Sequence, residues 1–206
     1  MEQINLKENI RNLLMLTKRS GMENLCDYME EIGFYEAPCS GGNHLAKLGG
    51  LAEHSWNVYG LMKSMYEEVL GNDCEIPDYS IIICAILHDL GKCGDFGKKN
   101  YVPNMVKDGR PTKAKPEQKY KVSESKPYKS NSELLYVPHE VRSVKLASKF
   151  IYLTENEEFA ILMHNGLYGD FKYSIKDKET PLYLLLHSAD MWASRVVEVE
   201  EVLQPE

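Results

Sequence analysis

The sequence predicts an all-α protein, a helical bundle carrying one basic loop insertion at about residues 95–137, and three observations predict it. Apolar residues recur at three- and four-residue spacing through most of the chain, as in Leu6, Ile10, Leu13 and Leu14, or Val58, Leu61, Met65 and Val69. Residues that start helices precede such runs: Asn5 before Glu8, Thr154 before Glu157, Thr180 before Pro181. Ile81, Ile82, Ile83, Ala85, Ile86 and Leu87 form an element apolar on every side, which suits a central helix enclosed by others.

Composition narrows the class. A chain of 206 residues fits one domain over 1–206, with 1–33 as an N-terminal helical extension. Hydrophobic content of 43% and charged content of 27% are those of an ordinary soluble globular protein. A net charge of −7 argues against general coating of nucleic acid and leaves room for a local basic site. The five cysteines form an odd set without Cys-x-x-Cys spacing, so a reduced, cytoplasmic compartment is expected. The first residues are polar and acidic, and no apolar run reaches the ~18 residues of a membrane span, so neither a signal peptide nor a membrane partner is expected.

In chain order, the Asn5 cap opens a helix that continues to Gly21, and a second helix runs from about Met22 to Ile32, stopped by Gly33. Phe34 to Gly50 reads as a loop punctuated by Pro38, Ser40 and glycines. His44, inside it, suits a surface histidine and a site residue equally. The third helix covers Leu51 to Leu70 and ends at Gly71. His54 precedes Val58 by four residues and points inward, a position more often held by a satisfied core histidine than by a ligand. Gly71 to Pro77 is a turn, and Asp78 caps the apolar helix that ends in His88-Asp89 and Gly91. The β-branched Ile81 to Ile83 admit a strand, but length and the surrounding helices favour a helix.

Lys98 to Lys129 differs in character, with ten Lys or Arg against three acids, a segment charge of +7. Its prolines at 103, 111, 116 and 127 exclude a long helix, leaving a loop or loose β-hairpin. It suits a lid over an anionic substrate and a solvated excursion equally. Order returns at Pro138, where His139, Ser143, Leu146 and Phe150 fall at helical spacing. Thr154 and Glu157 form a capping box for a helix through Phe159, Ile161, Leu162 and His164 that stops at Gly166. Leu167 to Glu179 reads as a polar loop. Thr180 and Pro181 open a last helix with Leu184, His187, Asp190, Met191 and Ser194 on one face, and Glu198 to Glu206 reads as an acidic, fraying tail.

Each inward histidine alone has an ordinary structural explanation. Together they do not, because a helical core seldom keeps several imidazoles that must each find a separate partner. His54, His88, His139 and His164 offer four neutral nitrogens, and Asp89 and Asp190 two carboxylates. That is the ligand count for a pair of divalent first-row metals, with Asp89 bridging.

This order, His … His-Asp … His … His … Asp, resembles the HD-domain superfamily of metal-dependent hydrolases. Glu36-Ala-Pro-Cys, Gly49-Gly-Leu-Ala-Glu-His54, Leu87-His-Asp-Leu-Gly-Lys92, His139-Glu-Val-Arg-Ser and Leu185-Leu-His-Ser-Ala-Asp190 are similar to small bacterial and phage HD hydrolases and to the HD domain of a 3′→5′ exoribonuclease group, over roughly Phe34 to Val197. The resemblance implies a single HD-type helical domain in which His54, His88, Asp89 and Asp190 form the core metal site. His139 and His164 are then the added ligands of the two-metal subset, and Asp89 and Lys92 are catalytic. It implies two divalent metals, drawn from Mn, Fe, Ni, Co and Zn, with Mg also admitted.

The activity so implied is phosphoester hydrolysis of a nucleotide or short single-stranded nucleic acid by a metal-activated water. His44, Lys92, Arg142 and His187 would contact the substrate, helped by lysines of the basic loop. Two alternatives keep the site: a diiron oxygenase of the HD type, and a non-catalytic nucleotide-binding module.

Overall fold

The computed structural model describes residues 5–70, 75–111 and 117–199. The chain is mostly helical, about 52%. Among the described residues it has eight α-helices: α1 Leu6–Met15, α2 Met22–Glu31, α3 Gly50–Met65, α4 Asp78–Leu87, α5 His139–Ala147, α6 Glu155–Met163, α7 Lys172–Ile175 and α8 Pro181–Trp192. π-Helical turns continue α3 over Tyr66–Leu70 and α8 over Ala193–Val197.

Local chemistry sets most of these bounds. The Asn5 side chain accepts from the Glu8 amide. Thr154 and Glu157 form the full reciprocal capping box at the head of α6, and Thr180 caps α8 with proline in its first turn. Three boundaries differ from the sequence reading. α1 ends at Met15 instead of Gly21, because Lys18 takes a left-handed conformation (φ 53°) and Thr17 Oγ1 turns back onto the Leu14 carbonyl. The N-cap of α4 is Pro77, and Asp78 is already helical. The expected loop after Gly166 contains a 3₁₀ turn, Gly166–Tyr168, and α7. Most of the expected turn at 71–77 lies outside the described residues.

α4 is buried along its whole length from Ser80 to Leu87, with α3, α6 and α8 packed on it. Each fully enclosed Ile or Leu of this run contributes about 1.5–3 kcal/mol. At this depth its C-terminal end delivers His88 and Asp89 to the middle of the bundle. Cys26, Cys39, Cys84 and Cys93 are buried free thiols. No helix among the described residues is long and apolar enough to cross a membrane.

Between α4 and α5 the chain folds into three short antiparallel ladders. β1 (Gly94–Asp95) pairs with β2 (Lys98–Lys99), β3 (Tyr101–Pro103) with β6 (Tyr128–Ser130), and β4 (Met105–Asp108) with β5 (Lys119–Val122). Ser123 to Pro127 bulges out between β5 and β6, with Asn104 bonding it at both ends: the Ser123 amide donates to the Asn104 carbonyl at 2.9 Å, and the Asn104 amide to the Pro127 carbonyl at 2.8 Å.

Gly91 docks α5 against the end of α4. A Cβ there would overlap the carbonyl oxygen of His139 and lie 2.9 Å from Arg142 Cβ, and the Gly91 amide donates to Ser143 Oγ at 2.8 Å. Only glycine permits this approach, and the approach brings His139 beside Asp89.

Candidate metal centre

Five elements aim side chains at one point. α3 supplies His54, the end of α4 His88 and Asp89, α5 His139, the end of α6 His164, and α8 Asp190. All are buried except His139 and Asp190, whose side chains are 26% and 18% exposed.

His88 and His164 use the same local device. Each caps the C-terminus of its helix and turns Nδ1 back onto the carbonyl three residues earlier, Ala85 at 2.9 Å and Ile161 at 2.7 Å. A carbonyl only accepts, so Nδ1 carries the hydrogen and Nε2 projects forward as the atom free to bind a metal. His54 Nδ1 is held by Glu198, both of whose oxygens lie at 3.0 Å.

The Nε2 atoms converge in two pairs around the Asp89 carboxylate. His54 and His88 Nε2 are 3.3 Å apart and lie 3.5 and 3.4 Å from Asp89 Oδ2, with Asp190 Oδ1 3.1 Å from His54 Nε2. His139 and His164 Nε2 are 3.4 Å apart and lie 3.1 and 3.5 Å from Asp89 Oδ1. Asp89 Oδ1 is buried without a hydrogen-bond partner. Electron-rich atoms so close repel unless a cation or proton lies among them, and about 3 Å is the spacing of neighbouring ligands around a first-row divalent ion with bonds of about 2.1 Å. These donors fit a metal.

The two halves are not equivalent. Asn165 Nδ2 lies 3.3 and 3.2 Å from His139 and His164 Nε2 and 2.6 Å from Glu140 Oε1, so an amide already faces the second pair. Lys92 Nζ bonds Asp89 Oδ2 at 2.6 Å and lies on the cavity wall.

Charge is balanced tightly. Burial favours the neutral form of Asp89, but the Lys92 ammonium and the histidines hold its carboxyl well below the usual range. Asp190 is also held below that range, against burial, by its bond to His54. Burial opposes the His54 cation, yet its pKa lies well above the ordinary value. Cys39, pushed up to about 11 by burial, is neutral near pH 7, so the pull on His54 comes from Asp190 and Glu198. His164 is raised as well, against burial, by the Asp89 and Asp190 carboxylates and the Ile161 carbonyl together. Protons therefore compete with a metal for these nitrogens. Metal affinity is expected to climb with pH through and above the ordinary imidazole range and to fall on acidification, with protons released on binding, as Mn²⁺ titrations in two buffers of different ionisation enthalpy would register.

The centre opens into a cavity of about 870 Å³, within the range of small-molecule sites. Lys92, His164 and Asp190 line it on the side of the centre. His44, whose ring centre is 5.2 Å from that of His54, lines it too, with Lys47, Tyr168, His187 and Arg195, and Glu124, Ser125 and Pro127 bring the bulge after β5 onto its wall. His44 Nε2 is 3.2 Å from Cys39 Sγ, and burial, with His54 and Lys92 nearby, lowers its pKa to about 4, so His44 is neutral near pH 7. His187 Nδ1 donates to the His164 carbonyl at 2.6 Å while its ring stacks on Tyr183 at 5.7 Å.

Three readings of the sequence require correction. Arg142 is not at the cavity: it is 3% exposed and donates to the Leu135 carbonyl at 3.1 Å and Asn100 Oδ1 at 3.4 Å, so it ties the end of the basic segment to α5. No lysine of the basic segment lines the cavity among the described residues. Leu184 and Met191, read as sharing one face of α8 with His187 and Asp190, are 47% and 42% exposed, so that face is not uniformly enclosed.

Glu198, read as part of a fraying tail, has a side chain only 1% exposed, and Asn57 Nδ2 donates to it at 3.0 Å. The π-helical turn Ala193–Val197 carries it back over His54. The available signal was the need of a buried histidine for an acceptor at its second ring nitrogen. Glu198→Gln is expected to lower metal affinity about 10–100-fold with the fold intact, measured by Mn²⁺ titration beside circular dichroism. Comparison with family models, curated proteins and solved structures finds no match to this chain.

Proposed function

We propose that the chain is a metal-dependent phosphohydrolase of the HD type that cleaves a phosphoester of a nucleotide or short oligonucleotide. The observation that carries this reading is the Asp89 carboxylate, which turns one oxygen to His54 and His88 and the other to His139 and His164. A bridging carboxylate between two histidine pairs, beside an acidic Asp190, is a donor set for two divalent ions. Bound there, such ions would supply Lewis acidity and a water acidic enough to attack phosphorus near neutral pH.

The remaining roles belong to the chain. Glu198 and the Ala85 and Ile161 carbonyls keep the Nε2 atoms of His54, His88 and His164 directed inward. Lys92 orients Asp89 and presents positive charge at the cavity wall, where a phosphoryl oxygen gains from it. Arg195 and Lys47 add charge to the cavity lining. His187 and neutral His44 stand along the same cavity as candidates to hold the leaving side of the substrate. Its volume accommodates a nucleotide, and exposed Tyr168, with the Arg195 guanidinium 5.9 Å from its ring centre, offers a surface for a base.

Metal analysis of the purified protein, followed by a screen of nucleotides, cyclic nucleotides and short RNA with Mn²⁺, Ni²⁺, Co²⁺ and Mg²⁺, tests the reading. Bound transition metal and release of phosphate or nucleotide support it. Iron with oxygen uptake and no phosphoester cleavage replaces it by the oxygenase, and tight nucleotide binding without turnover under every metal replaces it by the binding module.

A further inference from the structure

Among the described residues no lysine of the basic segment lines the cavity, so the charge of this segment calls for another use. Ten of its residues between 98 and 129 are Lys or Arg and three are acids, in a chain of net charge −7. Among the described residues, Lys98 is taken by the Glu133 carbonyl and Lys121 by Glu124, whereas Lys99, Lys107, Arg110, Lys119, Lys126 and Lys129 form no ion pair.

The β4–β5 ladder arranges this charge in a particular way. Its register sets Met105 opposite Val122 and Lys107 opposite Tyr120, and because cross-strand partners and residues two apart share a face, these four lie together on one side. Met105, Tyr120 and Val122 are 48%, 57% and 44% exposed. The other side carries Lys119 and Lys121 with Val106 and Asp108. The ladder leaves the body at the bulge of Ser123 to Pro127, whose Glu124, Ser125 and Pro127 form part of the cavity wall.

We propose that the β4–β5 ribbon is an arm that binds single-stranded nucleic acid and leads the strand to the cavity. Cations interleaved with an aromatic ring and apolar surface match a strand that offers phosphates and unstacked bases together. An acidic peptide would engage the lysines and leave Tyr120, Met105 and Val122 in water, and a duplex would present no free base faces. The arm rests on the phosphohydrolase reading for the direction in which the strand is fed, and it selects an oligonucleotide over a mononucleotide as the favoured substrate.

The test is fluorescence anisotropy with the full-length protein and a labelled, hydrolysis-resistant phosphorothioate single strand, so that binding is read apart from turnover. The wild type is expected to bind with an affinity that falls steeply with salt, and the exposed double variant Lys107→Glu/Tyr120→Ala to bind about tenfold or more weakly while hydrolysing a mononucleotide at the unchanged rate. Equal affinity in the variant, no binding at low salt, or displacement by poly-glutamate as effective as by unlabelled strand would overturn the arm. Intact strand binding, with no hydrolysis of any phosphoester by the wild type, would retire the phosphohydrolase and leave the arm standing.

Discussion

Asp89→Ala is expected to abolish hydrolysis, lowering the rate by a factor of at least about 10³, and to reduce bound metal in the same preparation. Both halves of the centre share this carboxylate, so its removal withdraws a ligand from each and leaves the Lys92 ammonium without its 2.6 Å partner. Because an unpaired buried lysine also costs stability, Asp89→Asn is the companion variant. It keeps the shape and one acceptor oxygen but loses the charge, and it is expected to fold as the wild type while losing most metal and activity. Full activity in either protein, or unchanged metal content, would contradict the assignment.

The largest effect on stability is expected far from the metal donors, at Glu157. This carboxylate is fully buried and fully bonded. Arg19 grips it with two bonds of 2.7 Å, Ser80 Oγ donates at 2.6 Å, and the Thr154 amide donates at 2.9 Å as part of the capping box of α6. Glu157→Ala removes the shared acceptor and leaves the Arg19 guanidinium, only 13% exposed, uncompensated. A loss of about 3–5 kcal/mol is expected, and urea unfolding followed by circular dichroism measures it. A loss below about 1 kcal/mol would show that the network adds little. The site is coupled to this network through α6, whose other end carries His164.

Whether a feature was legible in the sequence depended on the range of the interaction that makes it. The caps at Asn5, Thr154 and Thr180 were readable because each is a side chain bonding a backbone amide three residues away. The run Ile81 to Leu87 was readable because uniform apolarity leaves a helix no place but the interior. The histidines stood out because an imidazole in a helical core must have a partner, and the structure does bring His54, His88, His139 and His164 together around Asp89 with Asp190 beside them.

What escaped depends on contacts between distant segments. Glu198 looks like any acid in an acidic stretch until the π-helical turn folds it onto His54, 144 residues away. Asn165 gains meaning only from facing His139 and His164 at once. Arg142, one turn after His139, had the spacing of a site residue, but the close contact at Gly91 turns it toward Leu135 and Asn100. The basic segment was readable only as a loop or a loose β-hairpin, and its ladders follow the second; their positions escaped because β4 and β5 are exposed on both faces, so no alternation of apolar and polar residues marks the strand period.

Anomalous diffraction from crystals grown with Mn²⁺ would locate the ions at the Asp89 carboxylate. Density is expected for one metal between His54, His88, Asp89 and Asp190 and for a second between Asp89, His139 and His164, with the first retained and the second lost in His139→Ala. No anomalous density within bonding reach of Asp89, in crystals of a protein that otherwise binds Mn²⁺ in solution, would contradict this placement.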